Sequence, residues 1–166
     1  MTLISHIVII LLSTSLHTLT FSKYTNKSFN FSFLYPDSWQ RKVINMDYKH
    51  IVLLKKGYNI TVKITARKVD PTVREKWQRW KTWYFTGYGR WYRKIIETKT
   101  ISIKNKAKGK LHVFAYTQRG IRILQRLLVF EHKKNMIIIE CKAPLSVFYR
   151  YSPVFDTVMG SFTVIK

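Results

Sequence analysis

The chain has 166 residues, 30 Lys and Arg against 8 Asp and Glu, and a formal charge of +22 at neutral pH. A field of that sign and size attracts polyanions. A single cysteine, Cys141, excludes an internal disulfide, and the few acids include no sequence-adjacent pair that would suggest a carboxylate dyad.

Charge is not spread evenly along the chain. Residues 1–22 contain no Lys, Arg, Asp or Glu, and the first charged side chain is Lys23. Within this leader the apolar run Ile7–Leu12 has the length of a secretory h-region, whereas a membrane span needs about 20 strongly apolar residues. The n-region lacks Lys and Arg, and small residues place a cut near Ser22. Residues 1–22 are therefore read as a signal peptide, with an uncleaved N-terminal anchor as the alternative, and residues 23–166 as a single domain. The expected location is periplasmic or extracellular, or membrane-anchored if the leader stays on.

From Phe29 onward the pattern is mostly that of strands. Phe29, Phe31, Phe33 and Tyr35 alternate with Asn30, Ser32 and Leu34 until Pro36-Asp37 ends the run. Arg41–Met46 and His50–Lys56 follow. Ile60, Val62, Ile64 and Ala66 then alternate with polar residues, which predicts a strand with one apolar and one polar face. At Asp70-Pro71 the period changes. Asp70 suits an N-cap, Pro71 a first turn and Glu75 the positive end of the dipole. Val73, Trp77, Trp80 and Tyr84 fall on one helical stripe with Trp83 at its edge, which reads as packing against the sheet. Gly87 and Gly89 end it.

Strands are predicted again at Lys94–Ile103, then after a turn at Ala107-Lys108-Gly109 at Leu111–Thr117, and across Arg119-Gly120 at Ile121–Phe130. Met136–Cys141 follows a turn at His132–Asn135. Ala143-Pro144 opens a closing helix with Phe148, Tyr151, Phe155 and Val158 among its apolar positions, and Pro153 is expected to kink or interrupt it. Thr163–Ile165 is a short last strand. Cys141 shares strand parity with Ile137 and Ile139, so a buried, inert thiol is expected.

Two short motifs carry a resemblance. Tyr35-Pro36-Asp37-Ser38-Trp39 closes the Phe-rich strand, and Phe155-Asp156-Thr157-Val158-Met159-Gly160-Ser161-Phe162 closes the helix. The first resembles the "YPxxW" opening of PsbP-like domains and the second their "SF" ending, over roughly residues 28–165. The resemblance implies an α+β fold, an antiparallel sheet flanked by helices in an α-β-α sandwich. That family includes extrinsic photosystem subunits, Mog-type nuclear transport factors and many exported bacterial proteins, and it implies an accessory or binding role. None of the family's metal- or partner-binding residues has a match in this chain, and its photosynthetic members are less basic, so no photosynthetic role is carried over.

The remaining functional signal is charge. Lys104, Lys106, Lys108 and Lys110 are spaced by two around a predicted hairpin, where extended arms would crowd their ammoniums and a bound anion would relieve the repulsion. Arg90, Arg93 and Lys94 interleave with Trp91 and Tyr92, a mixture suited to stacking on bases or sugars. Arg122 and Arg126 are expected to join Lys63 and Arg67 on the polar face of the sheet. A solvated, compositionally lysine-rich surface is the plainer reading of these clusters. His50, His112 and His132 lack metal-ligand spacing, and Ser38 and Ser161 lack a nucleophile-elbow context. The expectation is thus an exported, non-enzymatic protein without cofactor or metal. It acts on an envelope protein partner or an anionic surface, with peripheral membrane association and no specific nucleic-acid readout. A polyanion-binding module using the lysine hairpin is the alternative.

Overall fold

Alternation of apolar and polar side chains accounts for nearly every element in the computed structural model, which describes residues 19–45, 49–55, 57–70, 72, 74–75, 78, 94–104 and 107–165. Ten strands are defined among these residues: β1 (Phe21–Asn26), β2 (Phe31–Pro36), β3 (Gln40–Asn45), β4 (Lys49–Lys55), β5 (Ile60–Lys68), β6 (Lys94–Ile103), β7 (Ala107–Gln118), β8 (Ile121–His132), β9 (Asn135–Pro144) and β10 (Thr163–Val164). The helix α1 (Leu145–Gly160) lies between the last two. Seven strands form one antiparallel sheet in the order β3-β4-β5-β9-β8-β7-β6, and β1-β2-β10 form a second, smaller one. The chain is α+β.

Register assigns each side chain of the large sheet to a face. Val62, Cys141, Arg126 and Val113 lie opposite one another across β5, β9, β8 and β7 and share one face. Lys63, Glu140, Leu127 and His112 form the adjacent row on the other face. The first face holds the main core. Ile51, Leu53, Val62, Ile64, Leu128 and Ile139 are fully buried there with Phe31 and Phe33 of the small sheet, Phe155 of α1 and Phe162 just after it. The second face carries a smaller buried cluster of Phe114, Leu127, Met136 and Ile138.

Phe162 joins the layers. Its ring lies 5.1 Å from that of Phe31, 6.1 Å from Phe33 and 5.4 Å from Phe130 of the large sheet. Beside it, the Ser161 hydroxyl accepts a hydrogen bond from the Leu34 amide at 2.9 Å and donates to the Val158 carbonyl at 3.1 Å. The closing Ser-Phe pair therefore ties the end of α1 to β2. In the Tyr-Pro-x-x-Trp turn, the Trp39 amide donates to the Pro36 carbonyl at 3.1 Å, and the Trp39 ring is buried near Tyr151 of α1.

Several boundaries differ from expectation. Phe21 and Ser22, assigned to the leader, belong to β1: Phe21 pairs with Pro36, Ser22 pairs with Tyr35, and the Phe21 ring packs against the core. A cut at Ser22 would thus fall inside a strand. Ala107-Lys108-Gly109 is not a turn, because Ile103 already pairs with Ala107 and β7 starts there. Gly109 serves close packing instead. A Cβ on it would lie 2.7 Å from Leu128 Cδ1, 3.1 Å from Ile103 Cδ1 and 3.2 Å from the Val129 carbonyl. The Arg119-Gly120 turn stands as expected, with φ of 50° and 75°, the two positive values that a two-residue type I′ hairpin requires.

Pro153 does not interrupt α1. It lies on the exposed side, and Arg126 of the sheet bonds both Ser152 and Asp156, on either side of the missing amide. Of the helix expected after Asp70, the described positions Thr72, Arg74, Glu75 and Gln78 are helical, and the Arg74 amide donates to the Asp70 carbonyl at 2.9 Å. Its aromatic stripe, Val73, Trp77, Trp80, Trp83 and Tyr84, lies outside the described residues. So do Gly87, Gly89 and residues 1–18.

Two measurements check this packing. Gly109→Ala should destabilise by about 1–3 kcal/mol through overpacking. Gly160→Ala, where a Cβ meets nothing within 4 Å, should be neutral or slightly stabilising in the same denaturant titration. The second concerns Asp37, whose amide donates to the Thr20 carbonyl at 3.1 Å. Hydrogen bonds from the Ser22 and then the Thr20 side chains hold its carboxyl below the ordinary carboxylate range. This tie is complete above the unfolded pKa and is lost as pH falls through the folded one. A chain starting at Lys23 should melt lower than one starting at Leu19, and the gap should narrow on acidification below about pH 4. Asp37→Asn should remove that pH dependence.

Candidate functional site

A concave feature lies on the core face between α1 and β6–β8, where β6 and β7 extend past the cover of the helix. A groove of about 460 Å³ opens there. Ile101, Leu111, Val113 and Leu124 supply its floor, and Phe148, Met159 and Phe162 its far wall. At the mouth stand Ile96 and Tyr149, 56% and 72% exposed, which is unusual for side chains so apolar. Ile96 is there because register slips between Ile95 and Glu97, a bulge that turns it off the ladder.

Three cations line the groove, and Arg126 is the most buried of them. Arg126 interrupts the apolar parity Leu124-Leu128-Phe130 of β8, and only 20% of its side chain is exposed. Its guanidinium donates to Asp156 Oδ1 at 2.5 Å and to Ser152 Oγ at 2.6 Å, and lies 5.5 Å from the centre of the Phe148 ring. All three partners come from α1. Burial of a charge this far is tolerated only when it is paired and hydrogen-bonded. Asp156, at 67% exposure, remains largely in water. Lys99 and Lys104 add positive charge to the lining, and Glu97 pairs with Lys99 at 3.0 Å.

Cys141 is opposite Arg126 in the register and completely buried. Desolvation pushes its thiol far up despite the nearby guanidinium, as expected of an inert structural cysteine. Among the described residues no group of three His, Cys, Asp or Glu could hold a metal ion. No helix of these residues is long and apolar enough to cross a membrane.

The sequence-derived anion residues are only partly brought together. Lys104 lines the groove, and its backbone bridges to Thr163. Lys108 and Lys110 lie opposite Ser102 and Thr100, with parity opposite to Leu111, so they project from the other face. The Lys110 ammonium donates to Thr100 Oγ1 at 2.8 Å. Lys94 is exposed at the start of β6, whereas Arg90, Arg93 and Lys106 lie outside the described residues. The expectation that Arg126 joins Lys63 and Arg67 is overturned, because the register sets Arg126 with Cys141 and Val62 on the core face. Its signal was present in the sequence as a base at an apolar parity position, matched by Ser152 and Asp156 one helical turn apart.

This arrangement defines an antiparallel α+β domain with a groove under its C-terminal helix, and the fold is PsbP-like. The solution structure of PsbP (CyanoP) from Synechocystis sp. PCC 6803 matches with a TM-score of 0.63 at 13% identity, over 90% of this chain and 95% of that one. A crystal structure from Bacteroides thetaiotaomicron VPI-5482 matches with a TM-score of 0.55 at 11% identity, over 87% of this chain and 48% of that one. LpqN of Mycobacterium tuberculosis, described as involved in cell envelope biogenesis, matches at 0.53 and 11%, over 90% of this chain and 88% of that one. At such identities the likeness is one of fold. No protein-family profile and no curated protein matches the sequence.

Because Asp156 is mostly solvated, its ion pair with Arg126 should be weak. A double-mutant cycle with Arg126→Met and Asp156→Asn should give a coupling of about 1 kcal/mol or less, shrinking as salt is raised.

Proposed function

We propose that the protein is an exported, non-enzymatic accessory protein of the cell envelope that binds its partner in the groove between α1 and β6–β8. The observation that carries this reading is the groove itself: an apolar trough with a held arginine inside and exposed Ile96 and Tyr149 at its mouth. Binding sites commonly pair an apolar lining with a few placed polar groups. The apolar leader supports export, and the envelope role described for LpqN supports the compartment. The non-enzymatic part of this proposal draws on two groups among the described residues. The buried thiol has its ionisation suppressed, and the one carboxylate at the arginine is spent in an ion pair.

A second reading keeps the polyanion. Lys104, Lys108 and Lys110 are exposed, and the last two project from one face of β7. Phosphate-type contacts weaken steeply with salt, whereas an apolar contact does not.

The two readings separate in one set of measurements. Alkaline phosphatase fused after Lys166 should be active in the host, and inactive once residues 1–18 are removed; an inactive full-length fusion would refute export. Envelope membranes carrying the protein are then washed across a salt series. Groove binding predicts retention at high salt and release of the Ile96→Ser/Tyr149→Ser variant. The polyanion reading predicts salt release of the parent. It also predicts early release of the Lys104, Lys106, Lys108, Lys110→Gln variant, but not of one losing four lysines elsewhere.

A further inference from the structure

Within the groove, the three groups holding Arg126 are not equivalent. Phe148 and Ser152 lie at the covered end and fix the plane of the guanidinium through its ring contact and the Ser152 hydroxyl. Asp156 approaches from the open side with two thirds of its side chain in water. Removing Asp156 would therefore leave the arginine in place, paired with nothing of opposite charge. A guanidinium carries five N–H donors in a planar fork, which suits it to carboxylates and phosphates. Beyond Arg126, Ile101, Leu111, Val113 and Met159 give the groove apolar surface, with the Glu97–Lys99 pair opposite Val113 and Leu111 and Lys104 also in the lining. The volume of about 460 Å³ is of the size that takes a small ligand.

We infer that the groove is a binding site for a single-chain anionic amphiphile, whose carboxylate or phosphate head displaces Asp156 from Arg126 while its alkyl chain lies along Ile101, Leu111, Val113 and Met159. Asp156 is then an internal stand-in for the head group. It keeps a half-buried cation paired while the site is empty, and it swings into solvent when the ligand arrives. The occupant follows from charge complementarity. The head is anionic because the fixed groups at the covered end present a cation, and the tail is apolar because Ile101, Leu111, Val113 and Met159 flank it while Glu97 and Lys99 are paired with each other. This inference rests on the groove-binding reading above and names the chemistry of its occupant.

Isothermal titration calorimetry of the full chain with dodecyl phosphate, below its micelle concentration, tests it. Inorganic phosphate and dodecyltrimethylammonium serve as the head-only and wrong-charge comparators. Stoichiometric binding of dodecyl phosphate alone is expected. Arg126→Gln should weaken it about tenfold or more, the loss of a hydrogen bond to a charged group. Lys63→Gln, which removes one charge from the opposite face, should change it little. Asp156→Asn should tighten it a few-fold, because the competing carboxylate is gone. Equal binding of the cationic amphiphile overturns the inference, and so does an Arg126→Gln effect no larger than that of Lys63→Gln. Inorganic phosphate binding as tightly as dodecyl phosphate does so too. Weakening by Asp156→Asn would show that the carboxylate helps to hold the ligand, which overturns the displacement. Should Arg126→Gln fail to fold by circular dichroism, the exposed Asp156→Asn substitution decides alone. If no amphiphile binds while salt-resistant envelope retention still depends on Ile96 and Tyr149, the groove serves another partner and only this inference falls.

Discussion

Four phenylalanine rings from separate parts of the chain converge on one point. Phe31 and Phe33 come from β2, Phe130 from β8, and Phe162 from the residues just after α1. Neither sheet could close this core alone. The small sheet contributes only short strands, and the large one has an apolar face wider than a single helix can cover. Offset and edge-on aromatic contacts add to the burial of large rings, so this junction is where the layers are held most firmly. With Phe162 in place, β10 can pair with β2 and Ser161 can bridge α1 to Leu34. The orientation of the helix follows.

The groove is a by-product of that docking. α1 is pinned toward β2, β8 and β9, so the outer strands β6 and β7 extend past its cover. Surface left uncovered in this way exposes apolar floor and permits a cation to sit on the core face. Arg126 in turn helps to hold the helix, because it grips residues on both sides of Pro153. The same side chain therefore stabilises the wall of the groove and electrifies its floor.

Much of this was legible in the sequence, for reasons of period. β3–β6 and β8 fall within a residue or two of the predicted strands, and β9 runs three residues past its predicted end, because period-two alternation and continuous apolar runs both read directly. Where the reading failed, tertiary contact had overridden a local cue. Gly109 looked like a turn residue, yet it is glycine because Leu128 and Ile103 leave no room for a Cβ. Phe21 looked like the tail of an apolar leader, yet β2 offers it a partner strand and the core a place to pack. Pro153 looked like a helix breaker until the splint across it was visible. The lysine cluster was conspicuous because charge shows in composition, and the register then sent Lys108 and Lys110 to the face away from the groove. Arg126 was set on the wrong face because a strand's parity acquires a face only once neighbouring strands are in register.

The strand order also governs how the chain can assemble. β6 to β9 form a run of hairpins between sequence neighbours, which close quickly because little entropy is lost in each. β5 is different. Its second partner is β9, far along the chain, and β2 likewise waits for β10 at the C-terminus. A polypeptide delivered N-terminus first, from a ribosome or through a narrow channel, therefore cannot complete the large sheet until β9 arrives, nor the small one until β10 does. During that interval one edge of β5 keeps its backbone N–H and C=O groups unpaired. In this topology the Ser161-Phe162 pair acts as the clasp, and closure of the fold waits for the strands and helix that follow β8.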